Sequence, residues 1–196
     1  MTRTALPAAA ATLLLSSQAA LADCEADARA AMLDVAHPVP MRQNVTTEMS
    51  GATIESFALS TPDGRGMALD ANETPVSLWI GGRFYSSADG GESWSLVSEQ
   101  TREQLDAQAA GRQTQADEAT NIVCDYDIDL DGKAVHRFAL DYALAGSGIL
   151  VKSQYWIDAK TRFPWRVVHE FGGAAPSVIT QNNEPVDELT IPDPDG

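Results

Sequence analysis

Most of the chain alternates. From Met41 onward, Met41, Val45 and Met49 fall on one face of an extended segment and Arg42, Asn44, Thr46 and Glu48 on the other, the two-residue period of a strand with unlike faces. Ser50-Gly51 offers a turn, TIESFALS resumes the alternation, and Pro62-Asp63-Gly64 closes it before a short third strand expected from Met67 to Asp70. Pro75 to Ile80 and Arg83 to Ser86 flank Gly81-Gly82. Two glycines accept the positive φ that a two-residue hairpin demands, and this register sets Trp79 opposite Phe84. SWSLV then adds a neighbouring strand.

Residues 121 to 144 carry the cleanest strand signal, with Ile122, Cys124, Tyr126, Ile128 and Leu130 against Asp125, Asp127 and Asp129. A three-residue loop of Leu130-Asp131-Gly132 would set Ile128 opposite Ala134, Tyr126 opposite His136, Cys124 opposite Phe138 and Asp125 opposite Arg137. A two-residue Asp-Gly turn would mix the faces, so the longer loop is expected. The last third, ILVKSQYWIDAKTRFPWRVVHEFGG and SVITQ, supplies three more strands, with a turn from Asp158 to Thr161 and Pro164 at an edge or a bulge.

Two segments break the period. Residues 23 to 36, DCEADARAAMLDVA, place Ala, Met and Leu at helical spacings, and His37-Pro38-Val39-Pro40 stops that helix. Between Ser98 and Thr120 the chain turns rich in Ala, Gln and Glu, with Thr101 and Gln104 spaced as a capping box. Leu105 and a few alanines make only a thin apolar stripe, which places this second helix on the surface or over an opening. Gly111 is a point where it could bend or split. About nine short strands and two helices, with no βαβ alternation, predict a mainly β, α+β fold: a mostly antiparallel sheet covered by helices. No repeat of propeller length is present.

The N-terminus begins MTR and runs through ALPAAAATLLLSSQAALA to Ala20-Leu21-Ala22, the pattern of a secretory signal peptide cut after Ala22. Residues 23–183 then form a single domain, and 184–196, acidic and proline-rich, a fraying tail. Export to the periplasm is the expectation. Asp23, before Cys24, is not the small neutral residue that lipid attachment wants. Cys24 and Cys124 are the two cysteines of the chain, and an even pair in an oxidising compartment closes as a disulfide. With 28 acidic and 13 basic side chains the formal charge is −15, which repels phosphate backbones and anionic headgroups. Nucleic acid is not an expected partner, and membrane contact is at most transient.

Motifs that suggest chemistry read more simply as structure. Ser87-x-Asp89-x-Gly91-x-Ser93-Trp94, within SSADGGESW, matches the Asp box of sialidase propellers, but one copy builds a turn rather than a propeller. DYDIDLDGK opens like a calcium loop, yet Phe138 stands where the bidentate Glu belongs. His37, His136 and His169 lack zinc spacing, and Ser147 lacks the nucleophile elbow. No catalytic residue, metal site or cofactor is nominated.

Aromatic and Met residues recur on nearly every expected strand, and a curved sheet under two sparse helices could leave a cavity lined by Met49, Phe57, Trp79, Phe84, Tyr126, Phe138 and Tyr155. The order LWIGGRFYSSADGGESWSLV, polar helix, DLDGKAVHRFALDY, YWIDAKTRFPWRVV resembles the outer-membrane lipoprotein carrier superfamily, LolA-like, and its LppX/LprG-type lipid-binding branch. Trp156-Ile157-Asp158 with Thr161, Pro164 and Arg166 is the strongest piece. The resemblance implies an incomplete antiparallel β-barrel plugged by helices and a non-catalytic protein whose hydrophobic cavity holds a lipid or a lipoprotein acyl chain. A monomer is expected. The rival expectation is a periplasmic interaction or regulatory domain binding a protein partner, and a third is a small envelope glycan hydrolase.

Overall fold

The computed structural model describes residues 16–34 and 37–194, with side chains from Cys24 onward. Most of the expected signal peptide, residues 1–15, lies outside the described residues, as do residues 35–36 of the first expected helix and 195–196 of the tail. Helix α1 (Ser16–Leu33) precedes six strands: β1 (Met41–Met49), β2 (Ala52–Ser60), β3 (Gly66–Leu69), β4 (Pro75–Ile80), β5 (Arg83–Ser86) and β6 (Ser95–Glu99). Helix α2 (Arg102–Asp117) follows. The second run is β7 (Thr120–Leu130), β8 (Lys133–Ala143), β9 (Leu150–Asp158), β10 (Pro164–Phe171) and β11 (Ser177–Pro185).

All eleven strands lie in one antiparallel sheet, ordered β6-β5-β4-β3-β2-β1-β11-β10-β9-β8-β7, curved but unclosed. The first meander runs outward from β1 to the edge at β6, α2 carries the chain to the other edge at β7, and the second meander returns to pair β11 with β1. Thr101 caps α2 as expected: its hydroxyl accepts the Gln104 N–H, and the Gln104 side chain accepts the Thr101 N–H. Gly111 does not split the helix, which is continuous to Asp117.

Trp79 pairs with Phe84 across the Gly81-Gly82 turn, as expected. The β7–β8 hairpin departs from expectation in one respect. Leu130 pairs with Lys133 around a two-residue Asp131-Gly132 turn whose φ angles are 54° and 82°, and Ile128 pairs with Val135 rather than with Ala134. The faces are restored by a bulge: Tyr126 and Asp127 together oppose His136, so Asp125 meets Arg137 and Cys124 meets Phe138 as expected. Asp127 sits at φ 52° in the bulge, a conformation an aspartate tolerates better than most side chains. A register shift at Pro164 to Arg166 in β10 is the irregularity expected at that proline.

Residues paired across strands share a face, and the two faces have separate cores. The inner face, under α1, holds Phe138, Leu140, Tyr155, Ile157 and Val167 against Ala28 and Ala31. The Cys24–Cys124 disulfide ties α1 to β7 beside this core. On the outer face Leu78 and Tyr85 pack with Leu59, Met67 and Trp94. The stretch beyond Asn183 departs from a fraying tail: Val186 N–H donates to Pro40 O, and Leu189 and Ile191 cover the outer core, Ile191 being 5% exposed.

Candidate functional site

The inner face is floored in rows. Tyr155 pairs with Val167 and Val167 with Gln181, while Asn183 pairs with Gln43, so an apolar floor on β9 and β10 grades into an amide stripe on β11 and β1. The end of α1 supplies Ala31 and Met32 from above, and α2 supplies Arg112 and Gln115. Between them is a cavity of about 320 Å³. The thin apolar stripe of α2 now has its reason, because the helix stands over an opening and buries only Ala116.

Polar side chains in the cavity wall are held in place. His37, 6% exposed, has Nε2 at 2.9 Å from Ser60 Oγ and Nδ1 against Val39 O. His169 Nδ1 lies 2.7 Å from Ser153 Oγ, and burial lowers the His169 pKa, which keeps the ring neutral at pH 7. Gln43 Nε2 donates to Gln181 Oε1 at 3.4 Å. Asn183 is 4% exposed; its Nδ2 donates to Pro164 O, while Oδ1 is buried with no partner among the described residues. Burial also raises the Tyr155 phenol pKa. At the mouth Arg162 faces Asp34 at 3.8 Å.

Of the seven expected lining residues, Tyr155 lines this cavity and Phe138, fully buried, pairs with it as core beneath the helices. Tyr126 is 41% exposed at the β7 bulge; its hydroxyl donates to Asp27 Oδ2 at 2.9 Å and its ring meets His136 and Phe138 edge-on. Trp79 and Phe84 share the inner face but lie on β4 and β5, outside the walls of this cavity. Met49 lines a separate, open notch with Phe171 and Val178 at the β1–β2 hairpin. Phe57 is on the outer face, with the Arg42 guanidinium 4.5 Å from its ring centroid. His37, Gln43, Arg112, Gln181 and Asn183 were not singled out as lining residues; they come from the α1–β1 link, β1, α2 and β11, and local spacing joins only Gln181 and Asn183, two apart on β11.

The aspartate-rich motifs are occupied elsewhere. Asp89 accepts the Ser93 hydroxyl at 2.6 Å, the Ser93 N–H at 2.9 Å and the Ser87 hydroxyl at 2.8 Å, which holds its carboxyl down to about 2. Asp125 pairs with Arg137 at 2.6 Å, Asp129 accepts the Gly132 N–H, and Asp131 faces Arg166. Among the described residues no three His, Cys, Asp or Glu side chains are placed to hold one metal ion.

The unclosed antiparallel sheet with its N-terminal and inserted helices has a likeness of fold among solved structures. Among solved structures, the lipoprotein LppX of Mycobacterium tuberculosis is similar over 87% of this chain and 98% of its own, at 15% identity and a TM-score of 0.50. That likeness is one of fold. A LolA superfamily protein of Nitrosomonas europaea matches at 10% identity over 85% of this chain and 95% of its own, with a TM-score of 0.38. A DUF1329 family protein of Desulfovibrio piger matches at 10% identity, 86% and 94% coverage and a TM-score of 0.34. No family model and no curated protein matches the sequence.

Proposed function

We propose that the protein is an exported, non-catalytic carrier that holds a hydrophobic ligand, a lipid or an acyl chain, between the sheet and its two helices. The observation that carries this reading is the cavity: about 320 Å³ of space over Tyr155, Ile157 and Val167, bounded by Met32 of α1 and Arg112 and Gln115 of α2. Its size sits at the low end of ligand sites, roughly 300–1,000 Å³, so it suits one chain rather than several. Its walls offer positioned hydrogen bonds, among them those of His37 with Ser60 and of His169 with Ser153. The disulfide fits an oxidising compartment such as the periplasm.

The test is to purify the protein from the envelope that makes it and extract it for mass spectrometry. A stoichiometric acyl-bearing compound is expected. Protein that is consistently empty, while still carrying its disulfide, would contradict the proposal.

A further inference from the structure

We infer that the cavity selects a single-chain amphiphile with an anionic head, a carboxylate or a phosphate monoester, held at the mouth by Arg112. This rests on the hydrophobic-ligand reading above and names the class of ligand within it. Acidic side chains outnumber basic ones 28 to 13, and the arginines reflect it. Each of the other described arginines lies within 3.8 Å of an Asp or Glu carboxylate, from Arg137 and Asp125 at 2.6 Å to Arg162 and Asp34 at 3.8 Å. Arg112 alone among the described arginines makes no hydrogen bond or ion pair, and it is the one that α2 presents to the cavity.

In a protein this acidic, an unanswered guanidinium, half-buried at a cavity mouth, is placed to meet an anion. The planar fork of Arg112 matches a carboxylate or phosphate with two parallel donors. Gln115, three residues on and therefore on the same helix face, lines the cavity beside it and can donate to the same head. Asp34, the carboxylate at the mouth, is answered by Arg162, so the mouth holds two cations against one anion. Below lie Tyr155, Ile157 and Val167, which accept an apolar chain. The small volume leaves no place for a second or third chain, so diacyl and triacyl lipids are disfavoured.

Titration calorimetry of the signal-cleaved chain at low salt, with dodecanoate, dodecyl phosphate and 1-dodecanol, separates the head from the tail. At least one of the anionic ligands is expected to bind one-to-one and about tenfold or more tighter than the alcohol, as charge-assisted hydrogen bonds allow, and which of the two is tighter identifies the head. Arg112→Gln should bring the anions down to the affinity of the alcohol while leaving the alcohol itself unchanged, and Arg112→Lys should keep part of the preference. Equal binding of all three, or a preference that survives in Arg112→Gln, would overturn the inference while leaving the cavity a hydrophobic site. Binding of none of the three would overturn both.

Discussion

Gly66 has no side chain because the Trp79 indole lies where one would be: a Cβ there would stand 1.9 Å from Trp79 Cζ2. Gly66→Ala must therefore displace the indole or the strand, and an overpacking cost of about 1–3 kcal/mol is expected in the urea midpoint. A shift in tryptophan emission should accompany it. Two carboxylates mark the turns in the same residue-by-residue way. In Asp158 partial burial opposes ionisation, but N–H groups of Thr161 and Lys160 and the Trp165 indole outweigh it and hold the carboxyl at about 2; Asp89 is likewise held at about 2 by Ser93 and Ser87. Both values lie below the unfolded one of about 3.9. The stabilisation is then full above about pH 4 and is lost as pH falls toward 2. Asp158→Asn should flatten the fall in stability between about pH 4 and 2 measured by denaturant titration, and an unchanged slope would contradict this account.

At the scale of elements, the disulfide is the tie on which the helical roof depends. It closes a loop of sequence separation 100 between α1 and β7, and Cys24→Ser paired with Cys124→Ser should cost about 2–5 kcal/mol in thermal or denaturant unfolding. Hydrogen exchange in α1 should rise more than in β3 to β5, since α1 packs on β7, β8 and β9. Much at this scale was legible in the sequence, because hairpin chemistry is local: Gly81-Gly82, Thr101 with Gln104, and the Asp158 turn each act within a few residues. The β7–β8 loop was not. A bulge costs one extra residue and leaves no mark in hydrophobic alternation, and at Tyr126-Asp127 no glycine advertises the positive φ. The register beyond it was still right, since the Cys124 and Phe138 side chains must share the buried face.

For the whole molecule, the limit of the sequence was the identity of the faces. Alternation says that Phe57 and Tyr155 each occupy one face of a strand, not that those faces lie on opposite sides of one sheet. Phe57 therefore ends outside under Arg42 and Tyr155 inside under α1. Trp94, in the Asp-box turn, packs on the outer core of Leu78, Tyr85 and Ile191. The polar wall of the cavity was hidden for a related reason: Gln43, Asn183 and Arg112 meet only after α2 has carried the chain across the sheet and β11 has returned beside β1.

The most direct test is to fill the cavity and ask whether binding goes. Val167, 8% exposed on the cavity floor, is replaced by Trp, and a fluorescent single-chain fatty acid is titrated into the wild-type protein and Val167→Trp, each checked for an intact disulfide and native circular dichroism. Saturable one-to-one binding in the wild type and its loss by about tenfold or more in the folded variant are expected, because the added ring takes the space of the chain. Binding that never saturates, or that survives the blocked cavity unchanged, would contradict a ligand held between sheet and helices.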